Sequence, residues 1–272
     1  MPLIAICSPK GGVGKTMLAA NLAHALRRAG RQVLAMDLDP QNALRLHFGV
    51  PLADQSGFLA ELRSRPDWRA VARRTASGVL LLPYGAVDAG GSLANDQAME
   101  RDPSLLGAAL AGMLAEPGLT VIADTAPGPS QALRAVLPLA DIILVPLLAD
   151  GGSIAMLPGI ESGLFLGRGT LGGLLAARMR IVVNQVEPQG RLSSAVVDAL
   201  LRRFGPRLIG LVGRDEAVAE ALAHGALVAD HAPQSRTAAD LAEIARTLDA
   251  VLPGAATAPG ADLPPVPLWG LR

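Results

Sequence analysis

Leu3-Ile4-Ala5-Ile6-Cys7-Ser8-Pro9-Lys10-Gly11-Gly12-Val13-Gly14-Lys15-Thr16 is the stretch that decides the fold. Leu3–Ser8 is a short apolar run ending in a glycine-rich turn, the pattern of a buried strand. Met17–Arg28 follows with Leu18, Ala19, Leu22, Ala23 and Leu26 at helical spacing, and Gly30 stops it. Gln32–Met36 is a second apolar run, ending at Asp37. Strand, glycine-rich loop, helix and strand make one βαβ unit of a parallel sheet.

A phosphate-binding loop needs small residues so that backbone N–H groups turn inward around phosphate oxygens. It needs a lysine at the helix start for the β- and γ-phosphates, and a hydroxyl beside that lysine as a Mg²⁺ ligand. Gly11, Gly12, Gly14, Lys15 and Thr16 meet those needs, with Val13 and Met17 as neighbouring nucleotide-contact positions. The ordinary pattern G-x-x-x-x-G-K-[ST] fails at its first position, where Pro9 stands. The variant K-G-G-x-G-K-[ST] fits, with Lys10 as an additional lysine.

Outward from this unit, the apolar runs Val79–Leu82, Leu119–Ala123, Ile142–Pro146, Met179–Val183 and Leu208–Val212 read as further buried strands. Between or after them lie helical stretches: Pro103–Ala115, Ser130–Leu137, Gly152–Leu166, Ser193–Phe204, Glu216–Ala223 and Thr237–Leu252. Near-continuous apolar strands alternating with helices predict an α/β fold whose sheet is covered on both faces. Residues 1–252 read as one domain. Arg45–Asp102 is loop-rich, with short helices expected around Phe58–Arg63 and Asp67–Thr75. Pro253–Arg272, rich in Pro, Ala and Gly, reads as an extended tail.

Composition narrows the function. Half the residues are hydrophobic and 18% are charged, which excludes general disorder. Lys plus Arg equals Asp plus Glu at 24 each, which argues against a protein that coats nucleic acid. Only Lys10 and Lys15 are lysines; the other cations are arginines. One cysteine, Cys7, excludes a disulfide framework and a thiolate metal cluster within one chain. The longest charge-free runs, Thr75–Val87 and Pro103–Ala115, fall short of the ~20 residues that span a bilayer. No signal peptide is read at the N-terminus, so a cytoplasmic location is expected.

Two further motifs carry carboxylates. Asp37-Leu38-Asp39-Pro40-Gln41 closes the second strand; acids one residue apart on an extended strand end share a side, so one can serve the Mg²⁺ shell and the other orient a water. In Val121-Ile122-Ala123-Asp124-Thr125-Ala126-Pro127-Gly128, Asp124 ends a buried strand and can reach Mg²⁺ through water.

These motifs resemble those of the MinD/ParA class of P-loop ATPases, which carry the variant loop. The resemblance implies a three-layer P-loop fold with a mostly parallel twisted sheet of seven or eight strands. It implies ATP and Mg²⁺ as cofactors and a homodimer with ATP sandwiched between protomers. Lys15 and the loop amides would hold phosphates, and Lys10 would reach the partner's phosphates, as an arginine finger does. Asp39 would activate the attacking water; Thr16, Asp37 and Asp124 would serve the metal. Asn184 would read the adenine edge, the alternative being a capping or turn role. Val212, Gly213 and Asp215 would form the other wall of the base pocket, with Gly213 where the class usually has proline.

Within the class, Asp67-Trp68-Arg69, Leu80-Leu81-Leu82-Pro83-Tyr84-Gly85 and Arg214-Asp215-Glu216-Ala217-Val218-Ala219-Glu220 resemble the ATPase of bacterial cellulose synthase operons, the BcsQ (YhjQ) family. That implies assembly or placement of a cellulose secretion complex at the inner membrane, through its other subunits and with no membrane-spanning segment in this chain. Two alternatives stay open: a ParA-like positioning ATPase acting on DNA or another polar cargo, with Arg202, Arg203 and Arg207 or Arg73 and Arg74 as basic patches, and a scaffold glued by nucleotide with negligible turnover. Leu268, Trp269 and Leu271 read either as a short partner anchor or as the end of a flexible tail.

Overall fold

Alternation along the central strands divides the molecule into two cores. In β1 (Leu3–Ile6), Leu3 and Ala5 face one core while Ile4 and Ile6 face the other. Side chains on a strand alternate between faces, so an all-apolar strand must be covered twice. The computed structural model describes residues 1–166 and 169–252; the expected tail Pro253–Arg272 lies outside the described residues.

The other strands are β2 (Gln32–Leu38), β3 (Arg73–Arg74), β4 (Leu80–Leu82), β5 (Leu119–Thr125), β6 (Ile142–Leu148), β7 (Met179–Val186) and β8 (Leu208–Gly213). They form one eight-stranded sheet in the order β3-β4-β2-β5-β1-β6-β7-β8. Every pairing is parallel except that of the two-residue edge strand β3 with β4.

Helix α1 (Lys15–Arg28) follows β1. The next helices are α2 (Trp68–Val71), α3 (Ala89–Arg101), α4 (Ser104–Leu114), α5 (Gln131–Val136), α6 (Gly151–Glu161), α7 (Gly169–Ala177) and α8 (Arg191–Phe204). The last three are α9 (Ala217–Ala223), α10 (Val228–His231) and α11 (Arg236–Val251). Buried residues of α1, α9, α10 and α11 join the core that contains Ile4 and Ile6. Buried residues of α3 to α8 join the core that contains Leu3 and Ala5.

Helix α11 illustrates the packing. Ser235 caps it by accepting from the Ala238 N–H at 3.1 Å. Its stripe Thr237, Ala238, Leu241, Ile244, Ala245 and Leu248 recurs at helical spacing and is buried. At Gly210 of β8 a Cβ would lie 2.2 Å from Ile244 Cγ1, so glycine lets the helix seat on the strand.

The seven strands expected from the apolar runs are all present, and β3 is the eighth. Departures are local. The expected helix Asp67–Thr75 is one turn, α2, followed by β3, because Arg73 turns inward to pair with Asp54. The expected helix Phe58–Arg63 is a turn leading into a 3₁₀ segment, Leu62–Ser64. Helix α3 falls inside the stretch read as loop; only Asn95 and Met99 of it are buried, so no apolar stripe announces it. The expected helix Gly152–Leu166 ends at Glu161, and α7 follows. Among the described residues no helix is long and apolar enough to cross a membrane.

Candidate nucleotide-binding site

In open parallel sheets ligands bind at the carboxyl ends of the strands, where the strand order reverses. Here β1 lies between β5 and β6, and the candidate residues gather at that edge. The loop Ser8–Gly14 leaves β1; Asp37 is in β2, Asp124 in β5, Asn184 in β7 and Gly213 in β8.

The loop ends in the geometry an anion site needs. Gly14 is the N-cap of α1, with φ of 88° in the left-handed region. No side chain caps the helix and no acid lies in its first turn, so the N-terminal N–H groups and the positive end of the dipole stay available. Lys15 is buried to 7% exposure at this end, and Thr16 is half-buried. Gly11 stands against Pro127, and the Gly128 N–H donates to the Ser8 carbonyl at 3.4 Å, which joins the loop to the segment after β5.

Asp37 and Asp124 are fully buried register partners on adjacent strands. Asp37 accepts from the Asp39 N–H at 2.9 Å and the Leu44 N–H at 3.0 Å. Burial, then the nearby Asp124, push its carboxyl well above the usual range. Burial pushes Asp124 up to about 7, while the Thr16 hydroxyl and the Lys15 ammonium act against the rise. Neither oxygen of Asp124 has a partner in hydrogen-bond geometry. Buried polar atoms are rarely left without a well-formed hydrogen bond, and a buried carboxylate beside a threonine hydroxyl fits a cation site.

The donor set there is oxygen only, which suits Mg²⁺. Among the described residues no group of three or more His, Cys, Asp or Glu could hold a metal ion alone. Mg²⁺ characteristically takes one or two carboxylates and completes its shell with phosphate oxygens and water, so the residues fit that ion in company with a nucleotide.

Asp39 is partly exposed at the end of β2. Its Oδ1 accepts from the Gln41 N–H at 2.9 Å, which fixes the turn after the strand. Lys10 reaches neither this turn nor Asp124: its Nζ donates to Asp150 Oδ2 at 2.7 Å in the same chain. Asp150 also caps α6 through the Ser153 N–H at 2.8 Å. The Lys10 contact, then the cap, hold its carboxyl below the usual range.

A pocket of about 370 Å³ opens beside the start of α1. Gly14, Met17, Asn184, Gly213 and Asp215, all expected from sequence, line it together with His47, Gln185, Arg214 and the α9 residues Val218, Ala219 and Leu222. Val212 does not line it; it is buried in the core beneath. Asn184 is 2% exposed; its Nδ2 donates to the Val13 carbonyl at 2.9 Å and its Oδ1 accepts from the Gln185 N–H at 2.9 Å. Both of its ends therefore brace the pocket wall. Sequence reasoning missed Asp150 and His47. Asp150 left a signal, an acid closing an apolar strand run; a single histidine within Leu44–Phe48 left none.

Comparison with known proteins agrees with this architecture. The family model described as "Cellulose biosynthesis protein BcsQ" matches residues 1–248. The chain is 27% identical over 246 residues to the cellulose biosynthesis protein BcsQ of Salmonella typhi, covering 90% of this chain and 93% of that protein. It is 30% identical over 236 residues to the chromosome-partitioning ATPase Soj of Thermus thermophilus, covering 85% of this chain and 89% of that one. Its fold is similar to the crystal structure of the cell division ATPase MinD of Pyrococcus furiosus, with a TM-score of 0.72 at 23% identity over 92% of this chain and 99% of that chain. The family model spans nearly the whole of the described chain, and the chain belongs to the BcsQ family of cellulose biosynthesis proteins, within the MinD/ParA class of P-loop ATPases.

Proposed function

We propose that this chain is a dimerising, Mg²⁺-dependent ATPase that assembles or positions a cellulose synthesis and secretion complex at the inner face of the inner membrane. Residues 1–252 act as the ATPase unit. The observation that carries the enzymatic part is the fully buried carboxylate of Asp124, set beside the Thr16 hydroxyl and the Lys15 ammonium at the mouth of the phosphate loop.

The loop amides from Gly11 to Lys15 bind phosphate oxygens, and Lys15 holds the β- and γ-phosphates. Thr16, Asp37 and Asp124 are the residues for Mg²⁺, which when bound neutralises charge developing on the phosphates. Asp39 orients a water whose oxygen attacks the γ-phosphorus. The bond from that phosphorus to the bridging oxygen breaks, ADP leaves, and the water's proton departs with phosphate. Lys10 serves the partner protomer's phosphates, for which it must exchange Asp150 for that site. Hydrolysis then loosens the dimer, and nucleotide state governs docking to other secretion subunits.

DNA positioning is supported by the Soj relative; of the five arginines expected to serve it, Arg202 is exposed and Arg74 half-buried, while the other three have partners within the chain. Arg203 pairs with Glu161 at 2.5 Å, Arg207 lies over the Phe204 ring, and Arg73 is buried with Asp54. The test has two arms. Purified protein is sized with ATP, with ADP and without nucleotide, and phosphate release is measured; a monomer in all three with no turnover refutes the enzyme. In its host cell, Lys15→Ala should abolish cellulose output; normal output with plasmid or chromosome loss favours the DNA reading instead.

A further inference from the structure

His47 is a buried polar residue of the candidate nucleotide pocket that no motif accounts for. It sits in the 3₁₀ segment Leu44–Phe48, which begins where the Leu44 N–H donates to Asp37. The residue is 6% exposed and lines the pocket beside Gly14, Met17 and Asn184. Its ring makes no hydrogen bond, ion pair or ring contact with another described residue. Its ring nitrogens are not sealed in the core but open to the cavity, where a ligand can meet them.

Apart from the exposed side chain of Gln185, the polar groups of the lining already have partners. Asn184 is held by Val13 and Gln185. Asp215 accepts from the Ala217 N–H at 3.0 Å and the Thr237 N–H at 3.4 Å. Arg214 Nη1 donates to Glu187 at 2.6 Å. The Gly213 N–H donates to Asp240 at 2.9 Å, and its carbonyl accepts from Thr237 Oγ1 at 3.3 Å. The pocket adjoins the start of α1 at Gly14 and Met17, so a nucleotide whose phosphates sit on the α1 amides can extend its base into the space that His47 borders.

We propose that His47 is a base-contacting residue of this site, its imidazole hydrogen-bonding the polar edge of a purine. The inference rests on the reading of Gly11–Thr16 as a nucleoside triphosphate loop. A neutral imidazole has one donor and one acceptor nitrogen, which suits a purine edge where donors and acceptors alternate. Burial holds His47 in that form, pushing its pKa down to about 4. The same segment starts at Leu44, whose N–H donates to Asp37, so the residue proposed to meet the base is tied through one hydrogen bond to the acid at the end of β2.

The test compares binding of ATP and of inorganic tripolyphosphate, each with Mg²⁺, by the full chain and its variants. His47→Leu keeps volume without hydrogen bonding; it should weaken ATP about 3–10-fold and leave tripolyphosphate unchanged. His47→Gln, with a donor and an acceptor, should stay within about 2-fold of wild type for both. Unchanged ATP affinity in His47→Leu overturns the proposal, as does equal loss of both ligands, which marks a structural role. If wild type binds neither ligand and Lys15→Ala changes nothing, the loop reading fails and this inference with it.

Discussion

Asp37 and Asp124 stand opposite each other on the adjacent parallel strands β2 and β5, and neither is exposed to solvent. Two acids side by side in a core oppose each other's ionisation, and without a cation they destabilise the fold. Asp124→Asn keeps the shape and removes one charge. We expect this variant, free of nucleotide and Mg²⁺, to be more stable by roughly 1–2 kcal/mol, a few degrees in Tm for a chain of this size. The stabilisation that Mg²⁺ and ATP add together should shrink. Thermal melts with and without both ligands measure the two effects; a variant that gains as much as wild type from Mg²⁺–ATP removes Asp124 from the metal site.

The two lysines should separate by kinetics. Lys15, buried at the helix start, holds phosphate in its own chain, so Lys15→Ala should abolish measurable ATP binding. Lys10→Ala should bind ATP almost normally yet turn over about 10²–10³-fold more slowly, the scale for losing a group that stabilises transition-state charge. Lys10→Arg should not restore the rate, because a planar guanidinium does not replace a compact ammonium among phosphate oxygens. Normal turnover by a monomeric protein would refute a role for Lys10 in the partner's site.

The ion pair between Lys10 and Asp150 holds the lysine within its own chain, and both side chains are about one-third exposed. Pairs at such exposure contribute ~1 kcal/mol or less. Asp150→Asn keeps an oxygen to cap Ser153 while removing the charge. It should therefore promote ATP-dependent dimerisation by no more than about 5-fold, read as the midpoint of dimer formation against protein concentration. A midpoint shifted the other way would mean that Asp150 supports the dimer.

The local βαβ unit was legible because strand, loop, helix and strand are consecutive in the chain, and the phosphate loop is read from a few adjacent residues. The strand-end acids were legible for a related reason: Asp37 and Asp124 each close an apolar run. What escaped depends on contacts distant in sequence or on polar bracing without a period. Arg45 ties the stretch after Asp39 by donating to the carbonyls of Asn42, Pro51 and Asp54, at 3.1, 3.0 and 2.5 Å. No hydrophobic pattern encodes such a brace. The α3 helix buries too few apolar residues to show a stripe, and the Lys10–Asp150 pair joins segments 140 residues apart.

Burial of His47 also predicts how the fold responds to acid. Its pKa falls from 6.5 to about 4 because burial disfavours the charged ring. The unfolded chain therefore takes up the proton first as pH drops, and stability is lost between about pH 6.5 and pH 4. A shift of this size corresponds to on the order of 3 kcal/mol once the site is fully protonated. His24, lowered chiefly by burial, acts with the same sign, whereas the raised carboxyls of Asp37 and Asp124 act with the opposite one. The whole-protein profile mixes these contributions, but the difference between wild type and His47→Gln isolates one. Urea unfolding at pH 7.5 and at pH 5 should show the glutamine variant losing less stability over that interval than wild type. Equal losses would mean that His47 is not held neutral by its surroundings, and would remove the support that burial gives to its place beside the base.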